Sequence, residues 1–80
     1  MTDRAAPDTD LDAALIEAHE AADHRRLVVL YAEAADHAEA AGDIDACCFY
    51  LTHAYVFALQ TGAGEARALH ERLLAHGREE

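Results

Sequence analysis

The chain has 80 residues, enough for one small domain. Asp+Glu number 16 against 6 basic residues, all of them arginine, and the formal charge of −10 disfavours nucleic acid and anionic lipid, both of which select a basic footprint. Hydrophobic residues make up 52%, much of it alanine, so the core has to come from close backbone approach plus a few large side chains; small domains of this kind often gain from oligomerisation or a partner.

Residues 1–7 read as a tail, 8–77 as a single helical domain and 78–80 as a charged tail. Pro7, Asp8, Thr9 and Asp10 form a helix start signal, with Thr9 and Asp12 spaced as a capping box. Leu11, Ala14, Leu15, Ala18 and Ala22 then make a narrow apolar stripe. At Asp23-His24-Arg25-Arg26 the stripe fails, because continuing it would bury an arginine. Apolar periodicity restarts with Leu27, Leu30, Tyr31, Ala34, Ala38 and Ala41, and Asp23 can cap the new helix. The spacing therefore predicts a break near 22–25; the competing reading is one kinked helix from Leu11 to Ala41.

Gly42 is placed to end the second helix in a left-handed conformation, and Asp43 to cap the third. That third helix, about 43–61, carries most of the bulky side chains and is apolar nearly all round, the pattern of a helix that other segments surround. One face reads Ile44, Cys47, Cys48, Leu51, Ala54, Tyr55, Ala58 and Leu59; the other reads Phe49, Tyr50, His53, Val56 and Phe57. Gly62-Ala63-Gly64 breaks the chain again. A fourth helix follows from about Glu65 to His76, with Ala66, Leu69 and Leu73 inward and Gly77 as its stop. No stretch alternates as a strand. The fold class is all-α, four antiparallel helices in a tetratricopeptide-like arrangement or a small helical bundle.

Two internal similarities stand out. Glu20-Ala21-Ala22-Asp23-His24 is repeated as Glu33-Ala34-Ala35-Asp36-His37 and echoed by Glu39-Ala40-Ala41-Gly42-Asp43, at a spacing too short for a repeat unit and explicable by an alanine-rich acidic composition. The stretch from Val28 to Thr61 reads helix, Gly-Asp turn, helix, and resembles one tetratricopeptide repeat, with Tyr31 at that family's first aromatic position, Ala34 and Ala35 at its contact pair, Cys47 and Ala54 at its small positions and Leu51 between them. It departs at Ala38, where the family has tyrosine, and in lacking a proline after the second helix. The resemblance covers under half the chain and implies a protein–protein scaffold.

The side chains with chemistry are weighed against plainer roles. Cys47 and Cys48 are adjacent, so on a helix they point about 100° apart and cannot bond to each other. No Cys-x-x-Cys spacing and no basic residue within a helical turn supports a reactive thiol, and two small buried residues in a reduced chain is the simpler reading. Glu20/His24 and Glu33/His37 share faces at four apart, whereas di-metal bundles use Glu-x-x-His, and His-Glu-x-x-His is absent. His24, His37, Cys47 and His53 are the side chains a metal would recruit, but no spacing calls for one, so neither metal nor cofactor is expected. His53 sits among aromatics, the setting of a core histidine bonded to a tyrosine or a backbone carbonyl. Arg25-Arg26 is expected to pair with Asp23 and the Asp36 side. No nucleophile–base pair, phosphate loop or nucleotide fingerprint occurs, so no reaction is predicted.

The functional expectation is a small acidic interaction module that binds itself or a basic or amphipathic partner helix through Phe49, His53, Val56 and Phe57, with a homo-oligomer the natural outcome. The alternative is a metal- or small-ligand-binding helical bundle using His, Glu and Cys side chains. No leader pattern and no apolar run of bilayer length is present, so a cytoplasmic setting is expected.

Overall fold

The computed structural model describes residues 9–77. They fold into four helices, α1 (Thr9–Glu20), α2 (His24–Ala40), α3 (Ile44–Thr61) and α4 (Glu65–Ala75), with no strand among the described residues. The expected break near 22–25 is present, and the single kinked helix from Leu11 to Ala41 is not formed. The two tails and the side chain of Thr9, and with it the Thr9–Asp12 capping pair, lie outside what is described.

Three turns of one geometry divide the chain. In each, a residue with positive φ ends the helix: Ala22 at 54°, Gly42 at 80° and Gly62 at 69°. The next backbone N–H then donates to the carbonyl five residues back, Asp23 to Ala18, Asp43 to Ala38 and Ala63 to Ala58, each at 2.9 Å. This is the closure that satisfies the last carbonyls of a helix. In the first two turns the residue after the turn is an aspartate whose carboxylate accepts from the third N–H of the new helix, Asp23 from Arg26 at 3.2 Å and Asp43 from Ala46 at 3.1 Å. The third turn has Gly64 before α4 and no side-chain cap. Part of the repeated Glu-Ala-Ala-Asp pattern is thereby explained: at Asp23 it is a turn and cap, matched by Gly42-Asp43, whereas Glu33 to His37 lies inside α2.

Short turns make consecutive helices antiparallel neighbours, and the most extensive packing is between α2 and α3. The molecule is only 14 Å thick. Two helix layers with axes about 9 Å apart and a Cα radius of about 2.3 Å on each side give that thickness. Side chains also bridge alternate helices: His19 of α1 meets Phe57 of α3, and Arg72 of α4 pairs with Asp36 and Glu39 of α2.

The core has two parts. The larger joins Val28 and Ala35 of α2, Cys47, Cys48, Leu51, Ala54 and Ala58 of α3, and Leu69 and Leu73 of α4. The smaller joins Leu11 and Ala18 of α1 to Leu27, Leu30 and Ala34 of α2. Tyr31, Tyr50 and Phe57 pack against both. Apart from its aspartate cap, α3 is held by its buried stripe, in which Cys47, Leu51, Ala54 and Ala58 are fully enclosed.

Ala22 carries a Cβ in the left-handed region, where Gly42 and Gly62 do not. It is exposed, so removing its methyl loses no core contact. Ala22→Gly is expected to raise stability by about 0.5–1 kcal/mol despite glycine's larger unfolded-state entropy; urea unfolding of the two proteins at matched m-value is the check, and an equal or lower midpoint contradicts the strained turn.

Candidate functional site

The residues that sequence reasoning singles out on α3 fall into two environments. With about 100° per residue, Phe49 and Val56 lie opposite Leu51, Ala54 and Ala58. Phe49 is 56% exposed and Val56 44%. Thr52 and Gln60, on the same side, are also exposed, and His53 is half-buried at its edge. Phe57 lies about 80° round the axis from Phe49, on the flank that α1 and α2 cover, half-buried against both cores, with its ring near His19 (5.9 Å), His24 (5.1 Å) and Tyr31 (6.0 Å, nearly parallel). Phe57 thus joins α1, α2 and α3, while Phe49 and Val56 form the outward stripe.

Tyr31 is the hub between these environments. Its ring contacts those of Tyr50, His53 and Phe57, and its hydroxyl lies 2.8 Å from His19 Nε2. Burial and the nearby Tyr50 push the Tyr31 phenol above its ordinary range. His53 Nδ1 lies 3.0 Å from the Phe49 carbonyl, to which the Nδ1–H donates, and its ring lies tilted between those of Phe49 (4.4 Å) and Tyr31 (5.1 Å). That bond to a backbone carbonyl of its own helix explains the histidine's place among aromatics.

The second polar assembly lies where the C-terminal ends of α2 and α4 meet the start of α3. Arg72 Nη2 lies 3.0 Å from Asp36 Oδ1 and 3.2 Å from Glu39 Oε1. His76 Nε2 lies 3.4 Å from Glu39 Oε2. Cys47 closes the group from below; its thiol is pushed up by burial first and by Glu39 next, which outweigh the lowering effect of Arg72. Asp36 pairs with Arg72 rather than with the Arg25-Arg26 pair, and Arg26 reaches Glu17 of α1 instead, at 3.5 Å. Of the four candidate metal ligands, His24 packs on Phe57 and His53 on Tyr31, His37 lies outside the one ligand group found among the described residues, and Cys47 belongs to it, together with Glu39 and His76. Neither Glu39 nor His76 is marked in the sequence. Their spacings to Asp36 and Arg72, three and four residues, do place each pair on one helix face, but nothing local shows that those faces meet.

Beside this assembly, α2 and α4 leave a groove of about 380 Å³ with Val28, Ala32, Ala68 and Leu69 among its apolar lining and Glu33, Asp36, Glu65 and Arg72 among its polar groups.

Both thiols are free and buried. Cys47 and Cys48 are therefore expected to label slowly with a thiol reagent in the native protein and at the rate of a free thiol in denaturant; rapid native labelling contradicts the packing. The raised Tyr31 pKa fixes the sign of a pH effect. Its protonated form is favoured in the native state, so this contribution is complete below the ordinary tyrosine value of 10.0 and is lost as pH rises beyond it. Unfolding free energy should fall across that range, and the fall should be shallower in Tyr31→Phe. No protein-family model, curated protein or solved structure matches this chain.

Proposed function

We propose that this chain is a small protein–protein interaction module whose partner is a second copy of itself, docked through the outward stripe of α3. The observation that carries the reading is the exposure of Phe49 and Val56 on a segment with no charged side chain from residue 46 to 64. A surface helix ordinarily turns charges to water. Here an apolar stripe faces outward on a chain that is otherwise strongly acidic, which is the composition of an association patch.

The absence of charge on the stripe selects the occupant. A basic partner segment would need acids beside the apolar contacts, and Asp45 is the one acid flanking them on α3. A second α3 stripe is uncharged to match, and a two-fold axis lets Phe49 and Val56 of each copy face the other's. The resemblance of residues 28–61 to a tetratricopeptide hairpin supports the same class of function, since that family is mainly a protein–protein scaffold. Free, adjacent cysteines support a reducing, cytoplasmic setting. Among the described residues no helix is long and apolar enough to cross a membrane.

The test is absolute mass by size exclusion with light scattering over a range of concentrations and salt. Each copy carries −10, so salt should strengthen self-association by screening the repulsion, whereas a complex with a basic segment would weaken. Phe49→Asp should return the protein to monomer with its helicity kept, because Phe49 is exposed in the single chain. Phe57→Asp is expected to unfold the α1–α2–α3 junction rather than to report on association. A monomer at every concentration, or a dimer unaffected by Phe49→Asp, overturns the proposal.

A further inference from the structure

We infer that Glu39, Cys47 and His76 form a binding site for a divalent transition-metal ion of the zinc type, with a coordination position left for water or another ligand. A carboxylate oxygen, a thiol sulfur and an imidazole nitrogen, from α2, α3 and the end of α4, lie within 4.8 Å of one another. Tetrahedral zinc, with bonds of about 2.0–2.3 Å, holds its ligand atoms about 3.3–3.8 Å apart. Glu39 and His76 already meet at 3.4 Å, so the remaining closure is about an ångström toward Cys47. Glu39 is partly exposed and His76 caps the last turn of α4, so both have the freedom to make that movement.

The donor set fits the ion. Sulfur and imidazole select zinc and its neighbours over calcium or magnesium, which take oxygen alone. Three protein ligands with one position open is the arrangement of a reactive or exchangeable zinc site rather than a closed structural one.

The surrounding fold supplies the electrostatics. The C-terminal ends of α2 and α4 bring partial negative charge toward a cation, and at Cys47, where burial and Glu39 keep the metal-free thiol protonated, the nearby N-terminal end of α3 partly offsets the cost of the anionic sulfur that a bound dication requires. A dication facing the thiolate and the Glu39 carboxylate is balanced in charge. Arg72, released from Glu39, keeps Asp36 at 3.0 Å. On binding, the Cys47 S–H bond gives way to a metal–sulfur bond and its proton leaves to solvent, so affinity rises with pH. His76 contributes its neutral Nε2.

The test is titration of the full chain with cobalt(II), followed by competition with zinc. One equivalent of cobalt should produce a thiolate-to-metal charge-transfer band that zinc bleaches. The band should disappear in Cys47→Ser and persist in Cys48→Ala, whose sulfur is outside the group. His76→Gln, a change at a helix end, should weaken cobalt binding by about tenfold or more. Zinc should raise the melting midpoint of the parent protein and of Cys48→Ala, and raise that of His76→Gln by less at the same zinc concentration. No band at stoichiometric cobalt, a band that survives Cys47→Ser, or equal affinity in His76→Gln overturns the inference. His76→Gln and Cys48→Ala decide the matter even if Cys47→Ser does not fold.

Discussion

The structure depends on the close approach that the buried stripe of α3 permits. Cys47, Leu51, Ala54 and Ala58 are all fully enclosed, and three of the four are small. Small side chains let neighbouring backbones come near, so α2 and α4 can both close on one helix with few large residues to fill the space. Leu51, Leu69 and Leu73 then supply most of the bulk, with Val28 and Ala35 completing the contact from α2. Any enlargement along the stripe would push two helices away at once, because an interior packed to crystal density has nowhere to put an added methylene.

α1 stands outside that arrangement. Its core partners are Leu27, Leu30 and Ala34 of α2, and its link to α3 runs through aromatic and histidine rings rather than aliphatic burial. Tyr31 couples the two parts: its hydroxyl meets His19, and its ring meets Tyr50, His53 and Phe57. Such ring pairs contribute about 0.5–1.5 kcal/mol each beyond their area, less than an enclosed leucine provides. Among the described residues α1 and α4 each bury two side chains, but those of α1 are Leu11 and Ala18 where α4 has Leu69 and Leu73, so α1 buries the least side-chain volume, and its opening would leave the α2–α3–α4 core largely intact.

Helix limits were legible wherever turn chemistry is local. Gly42 and Gly62 adopt the left-handed conformation their residue type suggests, and Asp23 and Asp43 cap as their positions imply. The first turn was legible only through the failing apolar stripe and Asp23, because its left-handed residue is Ala22 and alanine gives no sign of positive φ. Faces were legible in part. That α3 has two apolar faces follows from its composition, but which residues of the second face are covered depends on where α1 crosses. Phe49 and Phe57 look alike in the sequence; one faces solvent and the other joins three helices. Pairings between distant segments were not legible at all. Asp36 finds Arg72 of α4, 36 residues on, and the Glu39–Cys47–His76 group needs the ends of three helices to converge, which no periodicity encodes.

The two candidate surfaces occupy opposite sides of the same helix. Cys47 and Phe49 are two residues apart, so their side chains diverge by about 200° around the axis. Cys47 turns inward, toward Glu39 and His76, and Phe49 turns outward. A ligand drawn to the inner group would fix the start of α3 against α2 and α4 without touching the outward stripe. Conversely, covering Phe49 and Val56 removes apolar surface from water without displacing any of the three inner side chains. Coupling between the two can arise only through rigidity of α3 itself, since the fully buried Leu51, Ala54 and Ala58 continue the inner stripe from Cys47 along the helix while the outer stripe runs beside them. Occupancy at the inner group would then reach the outer surface as a better-defined helix start, the end at which Phe49 is presented, whereas Val56, toward the other end of α3, lies farther from the group.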